Sequence, residues 1–132
     1  MSIQGAPDME SVLRERGGQA YVVTVSEQGG PHAVYVPVRW EHGALVAEVG
    51  PTTARNAAAR PRVSVLYPVR TDGEYSLIVD GAAIVEPGGE APRLRVTPSK
   101  VVLHRPGPSP DPTSSCGADC VPLPVPVMPG RR

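Results

Sequence analysis

Phenylalanine is absent from this sequence, which holds one tryptophan, four tyrosines and two cysteines among its 132 residues. The apolar core must come mainly from Val, Leu, Ile and Ala, which suits one small barrel stabilised partly by dimerisation. A net charge is missing as well. Thirteen basic and thirteen acidic residues balance, and no Lys/Arg cluster forms a stripe. That excludes the electrostatic footprint of a nucleic-acid binder. No apolar run approaches the ~20 residues that span a bilayer. The N-terminus, with Asp8, Glu10 and Glu15, lacks the charge and apolar layout of a signal peptide. The expectation is a soluble cytoplasmic protein with neither a membrane nor a nucleic-acid partner.

What is present reads mainly as strands and turns. Asp8 to Arg16 places Met9, Val12 and Leu13 at helical spacing before Gly17-Gly18, which predicts a short helix lying as a lid across one barrel end. Ala20–Val25 has strand character, Gln28-Gly29-Gly30 is turn chemistry, and Pro31–Trp40 alternates with period two, which together make a hairpin. Pro37 cannot donate a ladder bond, so it marks a sheet edge, a bulge or a place where the ladder opens to admit a flat ligand. Ala44–Val49, Arg62–Tyr67, Tyr75–Val85 and Arg93–His104 complete six predicted strands, with a bulge at Asp80-Gly81 and an interruption at Thr97-Pro98-Ser99. The fold class is mainly β: a six-stranded antiparallel Greek-key barrel with an N-terminal helix and a short helix between strands 3 and 4.

That short helix is the stretch around which the chain is organised. Thr52 or Thr53 can cap its first turn, the alanines at 57–59 favour helix, and Pro61 ends it. Free amides and the positive end of the macrodipole at its start attract an anion, to which Arg55 can add a guanidinium. Gly50-Pro51-Thr52-Thr53 therefore either turns a corner between two strands or cradles a phosphate.

Val23-Thr24-Val25, Gly29-Gly30-Pro31-His32, Arg55-Asn56 with Pro61-Arg62-Val63-Ser64-Val65, and Asp80-Gly81-Ala82-Ala83 occur in an order that resembles the pyridoxamine 5′-phosphate oxidase-like split β-barrel family. The resemblance covers residues 8 to 105. It implies a homodimer with FMN, or the deazaflavin coenzyme F420, at the subunit interface, acting as an oxidoreductase on a small organic molecule. It further implies that the isoalloxazine lies against the backbone around Thr24, Val25, Val36 and Pro37, with the phosphate at Thr52, Thr53, Arg55 and Asn56. Two features depart from the pattern. Thr53 stands where many relatives carry a phosphate-binding lysine, and Glu86–Pro92 is a short loop where relatives often insert helices.

Hydride transfer at such a ring asks the protein for orientation and exclusion of water, so no catalytic acid or base is assigned. His32, His42 and His104 have no metal-ligand spacing and read as surface or hydrogen-bonding residues. Tyr35, Trp40 and Tyr67 either flank a flat ring or pack in the core or an interface. Residues 106–132 read as a separate Pro-rich tail with the only cysteines, Cys116 and Cys120. These are plain thiols, a reversible disulfide, or part of a metal site completed by another chain. The Val-Pro alternation after them cannot be a central strand, but it can lie in a groove of its own or the partner subunit. Two rival readings are a cofactor-free binding or scaffolding module, favoured by the missing lysine, and a haem-binding relative.

Overall fold

The computed structural model describes residues 8–107 and 118–126. Helix α1, Met9–Glu15, starts where Asp8 accepts a hydrogen bond from the Ser11 amide at 2.8 Å, satisfying a donor that a helix start leaves free. Gly17, at φ +77°, takes the left-handed conformation that turns the chain away after the helix. Met9, Val12 and Leu13 are buried in the core, as their spacing predicts.

Strands β1, Gln19–Val25, and β2, Pro31–Pro37, form an antiparallel hairpin in register from Gln19 opposite Pro37 to Val25 opposite Pro31. The single strand expected from Pro31 to Trp40 is divided. Pairing with β1 ends at Pro37, the Val38 amide donates to the Gly18 carbonyl at 2.8 Å, and Arg39–Glu41 forms β3 against a new partner, β4, Ala44–Glu48. At the turn between them His42 and Gly43 both have positive φ, the requirement of a tight primed hairpin turn.

Helix α2, Pro51–Ala59, follows, and its start corrects the expected cap. Gly50 is the N-cap, Pro51 opens the helix, and no side chain caps it. Proline's fixed φ suits the first helical position, so the helix begins two or three residues earlier than a threonine cap at Thr52 or Thr53 would place it. Thr53 is instead buried. Pro61 ends the helix as expected, leaving Arg60 extended at φ −133°, ψ 89°.

β5, Arg62–Tyr67, β6, Ser76–Glu86, β7, Arg93–Arg105, and β8, Asp119–Leu123, complete an all-antiparallel sheet of order β2-β1-β5-β6-β7-β4-β3, with β8 on β7. Eight strands thus replace the expected six. One addition comes from the division at Pro37, the other from a segment of the Pro-rich stretch that finds a free edge. The two end strands of the path, β2 and β3, are separated in the chain by Val38 alone, so the sheet has to curl round into a split barrel. Inside it lie Val22, Leu45, Val65, Leu77, Val79, Leu94 and Val101, each about 1 % exposed or less.

The curl is helped by a bulge where Asp80 pairs with Lys100 and Gly81 with Pro98. The extra residue, Ser99, belongs to β7 and not to the Asp80-Gly81 strand expected to carry it, and β7 runs through Thr97-Pro98-Ser99 without a break. A Cβ on Gly81 would stand 2.3 Å from the Thr97 carbonyl oxygen, so only glycine allows that approach.

β8 is fastened by a polar clasp. Asp119 Oδ2 accepts from Arg105 Nε at 2.7 Å and from the Tyr75 hydroxyl at 2.9 Å, while the Arg105 guanidinium lies 4.3 Å from the Tyr75 ring centre. The Arg105 hydrogen bond, with that of Tyr75, holds the Asp119 carboxyl below its usual range. A depressed folded-state pKa contributes stability above the unfolded value of about 3.9 and loses it as pH falls through the folded value. Amide protection factors at Cys120, Val121 and Leu123 are therefore expected to fall on acidification below about pH 4, and Asp119→Asn to remove that dependence. Protection that stays flat with pH would show the clasp to be idle.

Candidate functional site

The end of β1 and the first turns of α2 are tied by one buried hydrogen bond: Asn56 Nδ2 donates to Thr24 Oγ1 at 3.1 Å. Thr24 is 0 % and Asn56 5 % exposed. Alternation along β1 sends Thr24 inward, and the helical repeat sends Thr53, Asn56 and Ala57 to the same side. Arg55 and Thr52 are left on the outer side, exposed.

Beside them is a recess of about 440 Å³ walled by Thr52, Arg55, Asn56 and Arg60 from α2 and by Ser26, Glu27 and Gln28 from the β1–β2 turn. The turn is held by a Gly29 amide bond to the Ser26 carbonyl and a Gly30 amide bond to Ser26 Oγ, at 2.8 and 3.0 Å. Two guanidiniums and two hydroxyls against one carboxylate make the recess suited to an anion. A larger recess of about 610 Å³ lies on the outer face of the sheet, walled by Val23 and Val25, by Arg62 and Ser64 of β5, by Asp80 and Ala82 of β6, and by Lys100. Ser64 donates to Asp80 Oδ1 at 2.6 Å across its floor. Val25 and Ser26 are successive residues, and Arg60 and Arg62 flank Pro61, so walls of the two recesses are neighbours in the chain.

Of the residues expected around a flavin, Thr52, Arg55 and Asn56 therefore share one recess and Val25 walls its neighbour. Thr53 is buried and does not line either. Thr24 faces the core, and half-buried Val36 packs against it. Pro37 is at the opposite end of the hairpin from Val25, in a separate recess with Gly18, Val38, Arg39 and Glu48. Cys120 is disulfide-bonded, and Cys116 lies outside the described residues. Ser26, Glu27, Arg60, Arg62 and Lys100 were not foreseen. For Ser26 and Glu27 the Gly29-Gly30 turn was the available signal, since it brings Ser26–Gln28 beside α2. Among the described residues, no three His, Cys, Asp or Glu side chains come together as a metal site, and no helix is long and apolar enough to cross a membrane.

No family model matches the chain. Uncharacterized proteins of Mycobacterium tuberculosis and Mycobacterium bovis are each 35% identical to it over 122 residues, covering 81% of this chain and 86% of theirs. Among solved structures, a Clostridium acetobutylicum protein of the pyridoxinephosphate oxidase family has a TM-score of 0.59 at 10% identity, over 73% of this chain and 85% of that one. An F420 reductase matches with a TM-score of 0.59 at 18% identity, over 73% and 98%. The haem storage protein of Vibrio cholerae matches with a TM-score of 0.56 at 18% identity, over 70% and 92%. At these identities the likeness is one of fold.

The Thr24–Asn56 bond carries a structural prediction. Thr24→Val keeps the shape but strands a buried amide donor, and is expected to destabilise the fold by about 1–3 kcal/mol in denaturant unfolding. Adding Asn56→Leu is expected to cost less than the sum of the single changes. Strict additivity would mean that the two side chains are uncoupled.

Proposed function

The chain belongs to the same family as the two mycobacterial proteins and has the split β-barrel fold of pyridoxamine 5′-phosphate oxidase-like proteins, and from that premise we propose a flavin- or deazaflavin-dependent oxidoreductase acting on a small organic molecule. FMN is the first choice of cofactor and coenzyme F420 the second. The fold itself is shared by an F420 reductase and a haem storage protein, so it accommodates both flavin-type and haem chemistry.

The observation that carries the flavin reading is the pair of recesses whose walls are neighbours in the chain at Val25-Ser26. Their chemistry is complementary: cationic and hydroxylic beside α2, largely apolar over β1, β5 and β6. In this reading Thr52, Arg55 and Arg60 hold the phosphate through charge-assisted hydrogen bonds, and Val23, Val25 and Ala82 cover a flat ring. Glu27 offsets part of the positive charge, and the site has no lysine at Thr53 to restore it. When bound, a flavin or deazaflavin supplies the hydride-accepting or hydride-donating ring. The chain's own part is to position that ring and keep water from it.

Exclusion of water calls for a second protomer over the outer face. Tyr35, Tyr21, Leu66, Ile78 and Val102 are successive cross-strand partners from β2 through β7, forming an unbroken apolar row on that face. Tyr21 and Tyr35 are 39% and 51% exposed, with ring centres 4.8 Å apart. Apolar rows of this extent favour association, and a homodimer burying the row would close the ring recess.

Titration of the purified full chain with FMN and with F420 tests the cofactor. Saturable binding is expected, with Arg55→Ala weakening it by the roughly 1.5–3 kcal/mol of a charged hydrogen bond. An unaltered dissociation constant in that variant would place the phosphate elsewhere. A colourless protein that ignores both cofactors would favour the scaffolding module, and a Soret band on haem addition the haem reading. Sedimentation tests the interface: a dimer is expected for the parent chain and a monomer for Leu66→Glu, whereas a parent monomer would remove the shared site.

A further inference from the structure

Cys120 lies in β8 and is disulfide-bonded. Cys116 is the only other cysteine in the sequence, so the bond closes residues 116–120 into a covalent loop that contains Asp119. Asp119 is also the carboxylate of the clasp with Arg105 and Tyr75, so a covalent and a polar constraint meet at the start of one strand. β8 has little else to hold it. Pro122 has no amide to give the ladder with β7, and the apolar anchors are buried Leu123 and partly buried Val121. The clasp itself is incomplete. Asp119 is 5% exposed, and its Oδ1 is buried with no hydrogen-bond partner among the described residues. A buried carboxylate oxygen left without a partner weakens the contact that holds it, so β8 depends on the covalent loop to keep Asp119 in place.

Cys120 is also placed to exchange. It is half-buried, not sealed in the core, and His104 of β7 stands directly opposite it in the antiparallel register. A neighbouring imidazole favours a thiolate, and a more stable thiolate leaves faster. We propose that the disulfide at Cys120 is a redox latch: a dithiol reductant opens it, and β8 then leaves β7. One thiolate of the dithiol attacks the Cys116 sulfur, the S–S bond breaks, and Cys120 departs as a thiolate. The second sulfur of the dithiol then displaces Cys116 and closes its own disulfide. Two electrons and two protons pass to the chain, which keeps two thiols. Release bares the β7 edge at 101–105 and removes Pro122 from beside Val102, the last member of the outer apolar row. The latch is independent of the cofactor reading.

Amide hydrogen exchange on the full chain at neutral pH, with and without dithiothreitol, tests the latch. Both thiols are expected to become open to alkylation in the folded chain. Protection factors at Cys120, Val121 and Leu123 are expected to fall by about tenfold or more on reduction, while those at Val22 and Val65 in the core strands hold. Cys120→Ser is expected to show the lowered β8 protection without reductant and no further response to it. Thiols that react only after denaturation would overturn the proposal. So would unchanged β8 protection in the fully reduced chain, or a loss of protection that extends equally to Val22 and Val65, which would make the bond a support of the whole barrel.

Discussion

Val38 is the residue on which the architecture turns. It is the sole link between the two strands at opposite ends of the sheet, and a sheet whose ends are tethered by one residue cannot lie flat. The remaining departures from regular pairing serve that closure. Pro37 gives up the β1 ladder where the chain must change partners, and Ser99 lets the long β6–β7 pair bend. β7 also divides its second edge. Residues 93–96 pair with β4, 101–105 pair with β8, and Pro98, which has no amide to donate, lies in the gap between them.

Closure also decides where recesses form. α2 crosses from β4 to β5 at one end of the barrel with Ala54 and Ala57 in the core, and the Thr24–Asn56 bond draws its inner face onto β1. Arg55 and Thr52 are then presented outward next to the β1–β2 turn. A recess built this way needs no dedicated loop, because a helix and a hairpin turn supply both walls. The opposite barrel end is covered by α1, held by a hydrogen bond from Arg70 to the Glu15 carbonyl and by Arg16, which donates to the Tyr75 carbonyl. With small Val and Leu side chains and no phenylalanine, the space beneath α1 is left partly unfilled.

Charged residues work here mostly as fasteners between distant strands. Arg95 joins β7 to Glu86 of β6 at 3.0 Å and to Glu41 of β3 at 3.6 Å, and Arg105 joins β7 to Asp119 of β8. Other cations form no salt bridge among the described residues, and of these Arg55 and Arg60 wall one recess and Arg62 and Lys100 the other.

Local chemistry was legible in the chain itself. Asp8 with Ser11 starts α1, the Met9-Val12-Leu13 spacing marks its buried face, Gly29 and Gly43 mark turns, Pro61 stops α2, and the strands come where period two and β-branched residues predict them. Such signals act between residues a few positions apart, so they survive without knowledge of the partner. The resemblance also anticipated the split barrel. Only the tertiary structure decided that Pro31–Trp40 serves two different neighbours, that Thr53 faces inward, that the bulged residue sits on β7, and that Asp119–Leu123 finds an edge. It alone placed Arg60 and Glu27 beside Arg55, and Trp40 beside Tyr67. Those outcomes depend on which strand wins a given edge and which face the closed sheet buries, choices set by the free energy of the whole barrel and not by any segment of it.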